Sequence, residues 1–172
     1  MALKTGAQYI ESLKKMRPNI YKWGQLIEDV TTHPATKMHV QSVARSYDLS
    51  HDPKTADIYT TKSSLTGQVA HRWNTLMATR EDVIGNAKMK RHQYRQSGTC
   101  QGATCAGWTG LNTLWEATFK MDKELGTNYH ERLKKYMRYV EDNALALAGA
   151  ITDAKGDRSK KPSQRANKMS NL

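Results

Sequence analysis

Apolar residues recur at helical spacing along most of the chain. Tyr9, Ile10 and Leu13 predict a helix over 7–16, which Pro18 ends or follows. Ile20, Trp23, Leu26 and Ile27 keep an i, i+3, i+4 rhythm and predict a second helix over 19–30. After the break at His33-Pro34, Val40, Val43 and Ala44 predict a helix over 37–48. Ser50 to Pro53 reads as a loop and Thr60 to Ser64 as an irregular polar stretch. The one strand-like run, Ile58 to Thr61, is too short to count. Val69, Trp73, Leu76 and Met77 mark one face of a long helix over 65–93, more polar in its second half. Trp108, Leu111, Trp115 and Phe119 predict an amphipathic helix over 104–124, which Gly126 stops. Leu133, Met137, Val140, Ala144 and Leu147 predict a last one over 129–148, ended by Gly149. No internal repeat is visible. The pattern implies an all-α fold, with one helical domain over 1–150 and a non-periodic segment over 151–172.

Composition adjusts this picture in three ways. A chain of 172 residues is long enough to bury a core, but an apolar fraction of 38% is low, so the core is expected to be incomplete or shared. Trp23, Trp73, Trp108 and Trp115 all fall on apolar faces and read as core. The net charge is +11, and the segment after Gly149 supplies much of it through Lys155, Arg158, Lys160, Lys161, Arg165 and Lys168 against the single acid Asp157. A basic surface suits nucleic acid, anionic lipid or a phosphate-rich cofactor. RNA-binding motifs are missing and the tryptophans are not free to stack on bases, so no nucleic-acid partner is expected. No apolar run approaches the roughly 20 residues of a membrane span, and Met1 to Ile10 has no signal-peptide core. A cytoplasmic protein with no membrane partner is expected.

Two constellations carry candidate chemistry. Cys100 and Cys105, the only cysteines, sit in the Gly-rich run Gly98-Thr99-Cys100-Gln101-Gly102-Ala103-Thr104-Cys105 ahead of a helix. Thiolates bind soft metals and iron–sulfur clusters. At roughly 100° per residue, positions i and i+5 of a regular helix differ by about 140° and cannot share a face. They can converge if Cys100 lies in the turn before the helix, which the glycines favour, or across a π-bulge. Two thiolates are half of a four-ligand site, and the spacing leaves open a pair of ordinary buried thiols. The second constellation is Ile151-Thr152-Asp153-Ala154-Lys155-Gly156-Asp157-Arg158, a short turn able to present N–H groups and a guanidinium to phosphates or a flavin edge, or simply a solvated loop. His33, His39, His51, His71, His92 and His130 lack any metal-ligand spacing, and no zinc site is assigned. Nucleophile-elbow, Walker A and dinucleotide-binding motifs are absent.

Four blocks carry a resemblance that runs in register over nearly the whole chain. Ala7-Gln8-Tyr9-Ile10-Glu11-Ser12-Leu13, Thr60-Thr61-Lys62-Ser63-Ser64-Leu65, Gly126-Thr127-Asn128-Tyr129-His130 and Thr152-Asp153-Ala154-Lys155-Gly156-Asp157-Arg158 resemble segments of the 4-hydroxybutyryl-CoA dehydratase family. The wider group includes flavin-dependent 4-hydroxyphenylacetate 3-hydroxylases. The resemblance implies the N-terminal helical domain of an acyl-CoA-dehydrogenase-like fold, stopping before a β domain and a C-terminal helical bundle, in a homotetramer. It implies FAD and a four-iron four-sulfur (4Fe–4S) cluster held by three cysteines and one histidine. The implied reaction is dehydration of 4-hydroxybutyryl-CoA to crotonyl-CoA, with vinylacetyl-CoA isomerisation. By position, Cys100 and Cys105 match cluster ligands, with one residue more between them than in bacterial members. Ile151, Thr152, Asp153, Ala154, Lys155, Gly156, Asp157 and Arg158 match a flavin-binding stretch, with Ala154 where proline is usual. No residue is assigned as catalytic, and the chain alone is expected to be inactive. The competing readings are a flavin-dependent aromatic hydroxylase of the same fold, which lacks the cluster cysteines, and a small basic helical binding module.

Overall fold

Thr5 opens the first helix with a reciprocal cap: its hydroxyl accepts from the Gln8 amide at 3.2 Å and Gln8 Oε1 accepts from the Thr5 amide at 2.8 Å. A computed structural model describes residues 3–16, 19–98, 106–147, 157, 159–161 and 164. The first helix, α1 (Gly6–Lys15), packs on α2 (Lys37–Leu49) through its own first residue. The Gly6 amide donates to Asp48 Oδ1 at 2.8 Å. A Cβ built on Gly6 would lie 2.6 Å from both the Ala44 carbonyl oxygen and Asp48 Oδ2. One of these obstacles is backbone, so the helices must separate to admit a methyl group. Gly6→Ala is therefore expected to cost about 1–3 kcal/mol, the range for overpacking. An unchanged urea midpoint would show that the α1–α2 contact yields more easily than this.

The helix expected over 19–30 is instead a hairpin. Strands β1 (Tyr21–Lys22) and β2 (Gln25–Leu26) pair antiparallel, Tyr21 opposite Leu26 and Lys22 opposite Gln25. Trp23 (φ 53°) and Gly24 (φ 78°) both occupy the left-handed region, the signature of a two-residue type I′ turn. Downstream, Asp29 Oδ1 accepts from the Thr31 amide and hydroxyl, which turns the chain locally. Of the periodic apolar residues only Ile27 is buried, and Trp23 is 92% exposed. Its expected place in the core is thus corrected: the spacing is helical, but among the described residues no surface receives that face.

The long helix expected over 65–93 is also divided. A short helix, α3 (Ala56–Tyr59), leads into β3 (Thr60–Lys62), which pairs antiparallel with β4 (Val69–His71). The polar stretch from Thr60 is therefore partly a strand. The Ser63 hydroxyl accepts from the Leu65 and Thr66 amides, and Gly67 (φ 72°) closes the turn. A 3-10 turn at Arg72–Asn74 follows, and only then does α4 (Arg80–Ser97) begin. Thr79 and Asp82 cap it reciprocally, fixing a start that apolar periodicity runs straight through. Gly98 (φ 66°) ends it in the left-handed region. Helices α5 (Ala106–Leu125) and α6 (Tyr129–Asp142) form a helical hairpin turned at Gly126 (φ 64°). Asp122 supplies the joint, accepting from the Thr127 hydroxyl and from the amides of Tyr129 and His130.

The chain is thus mostly helical, and the two small hairpins correct the all-α expectation. Two buried clusters hold the described residues. One gathers Tyr47, Leu49, Tyr59, Trp73, Met89 and Ala144, with Tyr47 edge-on to Trp73. The other is the inner face of α6, Leu133, Met137 and Val140, covered by Leu65, Leu76, Leu111, Trp115, Leu145 and Leu147. Trp73 and Trp115 take the core positions expected of them, while the side chain of Trp108 lies outside the described residues.

Candidate functional site

Cys100 and Cys105 lie outside the described residues, as do Ile151, Thr152, Asp153, Ala154, Lys155, Gly156 and Arg158. Asp157 is described: its Oδ1 accepts from the amide and hydroxyl of Ser159, and Lys160 sits 3.7 Å from its Oδ2 in an exposed ion pair. Gly98 ends α4 two residues before Cys100, and α5 begins at Ala106, directly after Cys105. The second constellation follows Leu147 by four residues.

These two lead-in segments meet on one surface. Leu111, in the second turn of α5, and Leu145 and Leu147, beyond α6, all pack on the same cluster of α6. The connector between the 3-10 turn and α4 ties them together. Asn74, 1% exposed, donates from Nδ2 to the Leu145 carbonyl at 2.7 Å. Three residues on, the Met77 amide donates to Asn112 Oδ1 at 2.8 Å, and Met77 Sδ accepts from Asn86 Nδ2. The connector is anchored at its root by Arg72, whose guanidinium donates to the carbonyls of Asp57, Ile58 and Thr60. Burial lowers the Arg72 pKa, with Asp82 and Asp57 opposing the shift.

Beside this joint lies a buried polar network. Glu141, 4% exposed, accepts from the hydroxyls of Ser63 at 2.9 Å and Thr66 at 3.0 Å. Burial pushes its carboxyl above the usual range, against the pull of those two hydrogen bonds. His71, 1% exposed, bonds through Nδ1 to the Ser50 hydroxyl at 2.8 Å, stacks on Trp73 and meets Tyr47 edge-on. Its Nε2 is buried without a hydrogen-bond partner. Burial pushes the imidazole down to about 3, with the positive charges of His51 and Lys4 adding to the effect. His71, Glu141 and Thr66 line a cavity of about 10 Å³, room for about one water. Tyr47 donates to the Ala144 carbonyl at 2.7 Å, and burial raises its phenol well above the normal range. Burial likewise pushes Tyr59 up to about 12, and its hydroxyl meets His92 Nδ1 at 2.9 Å. His71, Glu141, Tyr47 and Tyr59 are all buried in this way.

Among the described residues, no three His, Cys, Asp or Glu side chains are grouped to hold a metal, and no helix is long and apolar enough to cross a membrane. Asn74, Asn112, His71 and Glu141 were not singled out as site residues from sequence. Each is a single polar residue on a helix, strand or turn, with no spacing motif to mark it. Three of the four resembling blocks fall on structural joints: the start of α1, the β3 turn that feeds Glu141, and the α5–α6 corner.

Residues 5–172 match the 4-hydroxyphenylacetate 3-hydroxylase N-terminal family. The chain is 37% identical over 161 residues to a 4-hydroxybutyryl-CoA dehydratase/vinylacetyl-CoA-Delta-isomerase of Clostridium aminobutyricum, covering 94% of this chain and 33% of that protein. It superposes on an oxygen-tolerant archaeal 4-hydroxybutyryl-CoA dehydratase from N. maritimus with a TM-score of 0.87 and 33% identity, over 96% of this chain and 33% of that one. The FAD-complexed oxygenase component of a 4-hydroxyphenylacetate 3-monooxygenase gives a TM-score of 0.71 and 27% identity, over 96% of this chain and 34% of that one. The chain spans about a third of the length of the relatives it matches.

Proposed function

Because the chain belongs to the 4-hydroxyphenylacetate 3-hydroxylase N-terminal family, we propose that it is the N-terminal part of a 4-hydroxybutyryl-CoA dehydratase that also isomerises vinylacetyl-CoA. The observation that carries this reading is its closer likeness to the dehydratase fold, TM-score 0.87, than to the oxygenase, 0.71. The thiols Cys100 and Cys105 point the same way.

In this reading residues 1–150 are the N-terminal helical domain, and 151–172 contact flavin and lead to a β domain. A C-terminal helical bundle completes an acyl-CoA-dehydrogenase-like architecture, and four copies assemble in the cytoplasm. The donor set fits the cofactors in kind. Cys100 and Cys105 supply two soft thiolates to a 4Fe–4S cluster, and Ile151, Thr152, Asp153, Ala154, Lys155, Gly156, Asp157 and Arg158 supply backbone amides and charged side chains to FAD. When bound, these groups provide one-electron redox chemistry and a Lewis acid for the departing hydroxyl. The chain's own residues hold and orient, and the remaining cluster ligands come from the rest of the full-length protein.

The anaerobically purified full-length protein is expected to convert 4-hydroxybutyryl-CoA to crotonyl-CoA, and the 172-residue chain alone is not. Hydroxylation of 4-hydroxyphenylacetate with reduced flavin and oxygen, without dehydration of the thioester, would overturn the assignment.

A further inference from the structure

We propose that the connector of residues 75–79 and the 3-10 turn before it form a two-sided clamp, in which Asn74 and Asn112 are positioning residues for the two cofactor-bearing segments. The inference rests on the function proposed above and adds roles to residues that carry no chemistry of their own.

Each asparagine joins side chain to backbone, so each bond fixes a register. Asn74 Nδ2 holds the Leu145 carbonyl at 2.7 Å. Leu145 stands six residues before Ile151, where the flavin-contacting stretch starts. Asn112 Oδ1 accepts from the Met77 amide at 2.8 Å. Asn112 lies about 9 Å along α5 from Ala106, the residue after Cys105, at 1.5 Å rise per residue. The two anchors are three residues apart on a connector rooted by three Arg72 hydrogen bonds. Apolar packing alone would let either segment slide on the cluster of α6, because apolar contact is not directional. A hydrogen bond to one named backbone atom is directional. Asn74 is buried at the end of the 3-10 turn. Its Nδ2 answers the Leu145 carbonyl, a half-buried acceptor that loses this partner in an alanine variant, while its Oδ1 is buried without a hydrogen-bond partner.

Three variants of the full-length protein separate positioning from general stability. Asn74→Ala is expected to weaken FAD binding roughly tenfold, the loss expected when a buried hydrogen bond is left unmade, with iron content unchanged. Asn112→Ala is expected to lower iron retention against a chelator roughly tenfold, as removal of a supporting contact does at metal sites, with FAD affinity within about twofold of wild type. Asn112→Asp keeps the acceptor for the Met77 amide and is expected to restore iron retention. FAD affinity is read by fluorescence titration, iron by a chelator competition, and the melting point of the cofactor-free protein in parallel. Should Asn74→Ala give no soluble protein, Asn74→Ser carries the same comparison. Wild-type FAD affinity in the Asn74 variant, or parallel loss of both cofactors in step with the melting point, overturns the clamp. A wild-type protein that binds neither FAD nor iron instead overturns the proposed function, which keeps the two failures distinct.

Discussion

Alanine at Cys100 or at Cys105 is expected to abolish both iron content and dehydration of 4-hydroxybutyryl-CoA in the full-length protein. Each iron of a 4Fe–4S cluster takes one protein ligand in addition to its sulfides, and a missing thiolate leaves one iron open to solvent. The methyl group of alanine can neither coordinate nor carry charge, so no partial ligand remains. The fold should survive the change, because the described parts of α4 and α5 are held by the Thr79–Asp82 cap, the Met77–Asn112 hydrogen bond and the packing of Leu111 and Trp115 on α6. The melting point of the cofactor-free variants should therefore match the wild type while the visible absorbance of the cluster disappears. A variant that keeps its iron and its activity would remove the thiol from the ligand set.

Acidification below pH 6.5 should destabilise the folded chain through His71. Its imidazole ordinarily titrates at 6.5 and in the fold is held down to about 3. Between those values the unfolded chain binds a proton that the folded chain refuses, so unfolding takes up a proton and stability rises with pH. The stabilisation is fully present above about pH 6.5 and is lost as pH falls toward 3. At about 1.4 kcal/mol per pH unit, this amounts to about 2–3 kcal/mol by pH 4.5. His51 and Lys4 are the nearby cations that sharpen the effect. Glu141 works the other way: its raised pKa means that the folded state takes up a proton first, which favours folding on acidification and offsets part of the loss. Urea midpoints at pH 7 and pH 4.5 should differ accordingly. His71→Asn, which keeps a polar atom near the Ser50 hydroxyl, should flatten the difference. An equally steep pH dependence in that variant would place the acid sensitivity elsewhere.

Helices that bury a continuous apolar stripe were legible in the sequence. The expected ranges 7–16, 37–48 and 129–148 compare with Gly6–Lys15, Lys37–Leu49 and Tyr129–Asp142. The range 104–124 begins among residues outside the description and otherwise follows α5. The two failures have one cause, since apolar spacing does not distinguish a helical face from residues that face different neighbours. Val69, Trp73 and Leu76 sit respectively on a strand, a 3-10 turn and a connector, although their spacing is helical. Local backbone turns and caps decided both cases. Trp23-Gly24 forms a primed turn, and Thr79 with Asp82 starts α4. The second could have been read as a cap three residues apart, whereas a tryptophan at positive φ is not suggested by any propensity. Of the candidate site, the thiols and the flavin stretch were legible only as chemistry and as a resemblance. The clamp that serves them was not, because Asn74 finds Leu145, and Asn112 finds Met77, only after the chain has folded.

The order in which the aromatic cluster is completed bears on synthesis of the protein. Tyr47 waits for the Ala144 carbonyl, 97 residues later, and Lys4 for the Asn143 carbonyl, 139 residues later. At roughly 5–20 residues per second, the first of these gaps leaves α1 and α2 without their closing segment for about 5–20 s of translation. During that interval Tyr47 and then Trp73 are made before the residue that covers them. Slower translation lengthens the time for which this apolar surface lacks its closing segment.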